Sequence, residues 1–131
     1  MELIKLAKTF SVKPKEIYFA WLDSKAHSKM TGAKAKVDSK INGTFSAWDG
    51  YISGKTIELK QNQKIVQLWR TTEFPQDAPD SILEIKLVVI PKGTKLTLLH
   101  KNIPDGQSVN YKQGWKDFYF KPMEMYFKQF K

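Results

Sequence analysis

The chain reads as an α+β protein: a curved antiparallel sheet of six or seven strands wrapped around a long carboxy-terminal helix, with two short helices after the first strand. Three observations predict this. Asn42-Gly43, Asp49-Gly50, Asn62-Gln63 and Lys92-Gly93 each separate strand-like runs, and Asn-Gly and Asp-Gly are the strongest signals of tight hairpin turns. Beyond Ile103-Pro104-Asp105-Gly106 the apolar period becomes helical, with Trp115, Tyr119, Met123, Tyr126 and Phe130 recurring to the end. A helix that aromatic needs a large apolar partner, and the sheet is the available one.

Glu2 to Phe10 places Ile4, Leu6 and Phe10 on one face and Lys5 and Thr9 on the other, the alternation of a strand. Ser11 to Pro14 breaks it. Pro14-Lys15-Glu16 then supplies a first helical turn, where proline's missing N–H costs nothing, and Ile17, Tyr18, Ala20 and Trp21 give an amphipathic helix. Asp23 or Ser24 caps a second helix to about Met30, which Thr31-Gly32 ends. Ala33 to Ile41 is weakly patterned; Val37 and Ile41 fit a short strand. A meander follows, in which Leu83, Ile85, Leu87 and Val89 share a face opposite Glu84 and Lys86, and Leu96 and Leu98 continue the pattern. In the terminal helix Phe118, Phe120 and Phe127 broaden the apolar stripe, and Pro122 interrupts it by removing a backbone hydrogen bond.

Residues 1–131 are expected to form one domain, since 131 residues suffice for one core and 41% hydrophobic content argues against disorder. The absence of cysteine excludes disulfides, thiol catalysis and thiolate metal sites. The amino terminus has no apolar block of signal-peptide length, and Leu87 to Ile90 is too short to span a bilayer, so a cytoplasmic location without a transmembrane segment is expected. The net charge of +9 comes from 22 basic and 13 acidic residues, with Arg70 the single arginine. Dispersed lysines are hydrated point charges without the planar fork that reads bases, so they fit a solvated surface or an acidic protein partner better than specific nucleic-acid binding.

The chain shows little catalytic grammar. His27 and His100 lie on different elements without metal-ligand spacing. Ser46, Ser53 and Ser81 sit in no nucleophile elbow, and the seven glycines form no phosphate loop. Asp49 is explained by its turn with Gly50, and Glu58, Glu73 and Glu84 by outward strand positions. No cofactor is expected.

Gly43-Thr44-Phe45, Asp49-Gly50-Tyr51-Ile52-Ser53-Gly54, Ile65-Val66-Gln67-Leu68-Trp69-Arg70, Phe74-Pro75, Ser81 and Gly114-Trp115, in that order and spacing, resemble the small carboxy-terminal-type domain of the activators of the heat-shock protein 90 ATPase. Those proteins belong to the START-like superfamily. The resemblance implies a helix-grip fold with a cavity between sheet and helix, and a chaperone partner. Activators of that family also carry an amino-terminal chaperone-binding domain, and this chain begins directly at its first strand. Some START-like relatives catalyse cyclisation or isomerisation, which here would make His100 or Glu73 the base.

Within such a cavity the candidate lining residues are Phe45, Trp48, Tyr51, Trp69, Phe74, His100, Trp115, Tyr119 and Met123, each open to a core-packing role as well. Alternation puts Ile65, Gln67 and Trp69 on one strand face and Val66, Leu68 and Arg70 on the other. Either Trp69 faces the cavity and Arg70 pairs at the surface with Glu73 or Glu84, or the guanidinium anchors an anionic ligand. The expectation is a non-enzymatic domain for a hydrophobic, small apolar or lipid-like molecule, with a partner-binding module as the alternative.

Overall fold

The computed structural model describes residues 1–130, the Phe130 side chain excepted, so the expected place of Phe130 on the apolar stripe lies outside the described residues, as does Lys131. Strand β1 (Glu2–Phe10) leads through helices α1 (Pro14–Leu22) and α2 (Ser24–Thr31) into β2 (Lys36–Val37), β3 (Thr44–Ala47), β4 (Ile52–Lys60), β5 (Lys64–Thr71), β6 (Ser81–Ile90) and β7 (Gly93–Ile103). All seven strands form one antiparallel sheet in the order β1-β7-β6-β5-β4-β3-β2. Among the described residues no helix is long and apolar enough to cross a membrane.

Local chemistry accounts for the punctuation. Asp23 caps α2 by accepting a hydrogen bond from the Ala26 N–H at 2.9 Å, and Gly32 closes it at φ 85°. Asn62 adopts φ 60° between β4 and β5, where Lys60 pairs with Lys64. Ile41, expected on the short strand with Val37, instead lies in the turn that precedes β3 and is exposed, because only Lys36 and Val37 pair with β3. Leu83, Ile85 and Leu87 are buried as the alternation requires, but Val89 is 72% exposed beside the also exposed Val88: the end of β6 projects past its cover.

The terminal helix is continuous rather than broken at Pro122. It runs as α3 (Ser108–Gly114), a π-helical stretch (Trp115–Phe120), α4 (Lys121–Phe127) and a 3₁₀ turn (Lys128–Phe130). Pro122 occupies the first turn of α4, immediately after the wide turns, where a missing N–H is tolerated. The wide turns also set which face is buried. Trp115, Tyr119, Met123 and Phe127 recur every four residues, and in a pure α-helix each such step drifts by about 40°. A π-helical insertion takes more residues per turn and pulls the row back into line; all four side chains are buried.

The helix touches both ends of the sheet. Phe120 and Phe127 meet Phe10 of β1 edge-on at 6.4 and 5.7 Å, while Phe118 meets Trp48 of the β3–β4 turn at 5.5 Å. At the centre of the sheet a Cβ built on Gly54 would lie 1.8 Å from the Leu68 carbonyl oxygen and 2.8 Å from the Phe45 ring. Backbone cannot yield that much, so Gly54→Ala is expected to destabilise the protein by about 3 kcal/mol or more, read as a lower midpoint in urea unfolding.

Candidate functional site

A cleft of about 230 Å³, open to solvent on one side, lies between the terminal helix and the β3–β5 side of the sheet. Trp48, Tyr51 and Ile52 line it from the β3–β4 hairpin, Trp69 from β5, and Tyr111, Gly114, Trp115, Phe118 and Tyr119 from the helix. Seven of these nine residues are aromatic and none is charged.

The polar groups of the walls are turned to the protein. Trp115 Nε1 donates to His100 Nδ1 at 3.1 Å. An indole can only donate, so the proton of neutral His100 sits on Nε2 and meets Ser81 Oγ at 2.8 Å; Ser81 Oγ in turn donates to the Trp69 carbonyl at 2.7 Å. This relay ties helix to sheet and leaves His100 no free lone pair. Burial holds the His100 pKa down at about 3, so the imidazole is neutral by environment as well as by bonding.

A second buried histidine serves Tyr119. His27 Nδ1 donates to the Trp21 carbonyl at 2.9 Å, which leaves Nε2 to accept from the Tyr119 hydroxyl at 2.9 Å. Burial lowers the His27 pKa and raises that of Tyr119. The Tyr111 hydroxyl donates to Gln107 Oε1 at 2.6 Å and lies 2.6 Å from Thr71 Oγ1. At the rim the Tyr51 hydroxyl bonds the Glu73 carboxylate, and burial followed by that bond pushes the Tyr51 pKa up.

Trp48 differs. Its Nε1 is buried without a hydrogen-bond partner, an omission that costs about 1–3 kcal/mol. It also opens a run of three left-handed residues, Trp48 at φ 52°, Asp49 at 57° and Gly50 at 91°, a conformation in which a bulky side chain is strained. Trp48 is therefore a turn residue, not a strand residue, and the most strained part of the wall.

Of the residues singled out from sequence, Trp48, Tyr51, Trp69, Trp115 and Tyr119 line the cleft. Phe45, Phe74 and Met123 are buried in the core around it, outside the lining, because their strand, loop and helix positions direct them into packing. His100 is also outside the lining and fully buried. Arg70 lies outside the cleft lining, because alternation turns it away from Trp69's face. It binds Asp80 at 2.7 Å, in place of the expected Glu73 or Glu84, and the carbonyls of Ala78 and Pro75 at 3.1 Å each. Its guanidinium lies 5.4 Å from the Phe74 ring centre, so this side chain staples the β5–β6 loop.

Sequence reasoning did not select Ile52, Tyr111, Gly114 or Phe118 for the lining. Tyr111 stands four residues before Trp115, a helical spacing that would have found it. Gly114 is the helix position where a Cβ would meet only the Phe118 ring, at 3.8 Å.

The buried histidines predict acid sensitivity. Unfolded histidine binds a proton near pH 6.5, whereas folded His100 stays neutral to about pH 3 and His27 is shifted the same way. The unfolded state thus holds more protons, and stability falls as pH drops below 6.5, by up to about 1.4 kcal/mol per pH unit for each histidine. Chemical unfolding between pH 6.5 and 5 is expected to show this slope, and His100→Asn to reduce it.

The model of the family described as Activator of Hsp90 ATPase homolog 1-like protein matches residues 11–128. The Homo sapiens Activator of 90 kDa heat shock protein ATPase homolog 1 is 29% identical over 126 residues, covering 95% of this chain and 36% of that protein. The Mus musculus homolog 2 is 26% identical over 121 residues, covering 92% and 36%. The chain thus spans about a third of the length of these curated relatives. The crystal structure of an HSP90 activator from Plasmodium falciparum superposes with a TM-score of 0.87 at 26% identity, covering 95% of each chain. Matched from the start of the first helical region almost to its end, the chain belongs to the family of Activator of Hsp90 ATPase homolog 1-like proteins.

Proposed function

We propose that this chain is a non-enzymatic START-like domain that holds a small apolar molecule in the cleft between its sheet and its terminal helix. The observation that carries this reading is the cleft itself: about 230 Å³ with no charged side chain on its walls, the apolar concavity that ligand sites favour. The polar groups that chemistry would need are committed elsewhere, with the buried His100 bonded at both ring nitrogens and the exposed Glu73 bonded to Tyr51 at the rim. Native mass spectrometry of the protein purified from its own source is expected to show a discrete adduct released by solvent. Gly114→Leu, which adds side-chain volume where the helix now presents none, is expected to lose that adduct and remain folded. A clean apo mass for the unmodified chain overturns the ligand reading.

A second reading is that the chain engages a chaperone of the heat-shock protein 90 class. The relatives named as activators of that ATPase favour it, and a net charge of +9 suits an acidic partner surface. Mixing the chain with the chaperone is expected to give a complex that weakens as ionic strength rises and a faster ATP turnover. No complex and no change in rate overturn this reading.

A further inference from the structure

Resting on the reading of the cleft as a ligand site, we infer that its occupant is a flat, uncharged aromatic molecule of about two fused rings, selected by its π surface rather than by charge or hydrogen bonds. Three observations converge. First, the walls are aromatic except for Ile52 and Gly114, so a guest meets rings almost wherever it touches. Those rings stand at varied angles, Trp69 tilted 38° to Trp115 and 81° to Tyr111, and both faces and edges are therefore available for the offset and edge-on contacts that aromatic pairs prefer. An aliphatic chain would gain only area.

Second, the wall offers a guest little directional polarity. The hydroxyls of Tyr51, Tyr111 and Tyr119 are bonded to Glu73, Gln107 and His27, and the Trp115 N–H to His100. The unpaired Trp48 N–H is shielded from solvent. Arg70, the one guanidinium, is held by Asp80 outside the cleft, so an anion finds no partner. Third, the concavity matches such a guest in size: a cavity of about 150 Å³ takes one benzene ring, and about 230 Å³ scales to a bicyclic molecule.

The test is an NMR titration of the full chain, following the indole N–H resonances, with naphthalene, trans-decalin and tetramethylammonium as probes. Each hydrocarbon's affinity is scaled by its own water-to-alkane partition coefficient, so that only contact beyond hydrophobic transfer is compared. Naphthalene is expected to bind about two- to twelvefold tighter than trans-decalin on that scale, the increment aromatic pairing supplies, and Gly114→Leu to lose it. Equal scaled affinities overturn π selection while leaving the apolar-site reading intact. Tighter binding of tetramethylammonium than of naphthalene makes the cleft a cation cage and overturns the inference. Naphthalene binding unchanged by Gly114→Leu places the contact elsewhere and also overturns it. No binding of either hydrocarbon up to its solubility sinks both this inference and the ligand-site reading beneath it.

Discussion

Trp115 joins the two halves of the molecule. Its N–H reaches His100 on β7, and through His100 and Ser81 the chain of hydrogen bonds ends on the Trp69 carbonyl of β5. Every member is buried, so each bond is made where water cannot substitute, and removing one partner strands the others at a cost of about 1–3 kcal/mol. The same four residues fix where the Trp115 and Trp69 rings stand, 5.6 Å apart and forming one wall of the cleft. Shape of the site and anchorage of the helix are thus one constraint.

A parallel clamp works at the other end. Trp21 donates to Gln67 at 3.1 Å, Gln67 to Thr56 at 3.1 Å, and Tyr119 to His27, which ties α1 and α2 to the sheet and to the terminal helix. Paired buried polar groups specify one arrangement without charge, since both histidines are neutral. The consequence for function is indirect but firm. Side chains that could have offered hydrogen bonds to a guest spend them on the fold, and what they leave toward the cleft is ring surface. Gly114 completes this: a helix facing a sheet at this distance would ordinarily fill the gap with a side chain, and here it presents none.

The hairpins, the two short helices and the terminal helix were legible because each rests on local chemistry: Asp-Gly and Asn-Gly turns, the Asp23 cap, and the helical stripe of Trp115, Tyr119 and Met123, which Phe127 continues in the buried row while the expected Tyr126 is only partly buried. The apparent break at Pro122 was misleading because the compensation is not local to proline. It depends on wide turns from Trp115 to Phe120 that no residue there encodes by propensity, and that hold because they keep the buried row over the sheet. The site was legible in part for the same reason. Trp69 and Trp115 follow from strand alternation and helical period, and the outward turn of Arg70 follows from alternation with Trp69. His100 was the harder case. Its two-residue step after Leu96 and Leu98 correctly puts it on the inner face, but only three-dimensional contact decides that Trp115 and Ser81 use up both nitrogens before a ligand could.

The walls of the cleft are not equally secure, and the difference follows from their backbone. Trp69 and Trp115 sit on regular elements with their surroundings satisfied. Trp48 sits on a turn whose three consecutive positive φ angles include a tryptophan and an aspartate, at a cost of roughly 1–2 kcal/mol per non-glycine residue, and its own N–H is unpaired. Against this stand the turn's hydrogen bonds, among them Asp49 N–H to the Lys34 carbonyl at 3.0 Å and Tyr51 N–H to the Trp48 carbonyl at 3.1 Å, and the edge-on contact with Phe118. Phe118 is itself 56% exposed, so that contact is only partly desolvated and weakly held. Rotating Trp48 outward would give its N–H access to water but would expose ring area now packed against the core. Strain of this kind persists where surrounding structure over-determines it, and here the turn's hydrogen bonds, the Phe118 contact and the packing of Trp48 on the core together hold the strained wall in place.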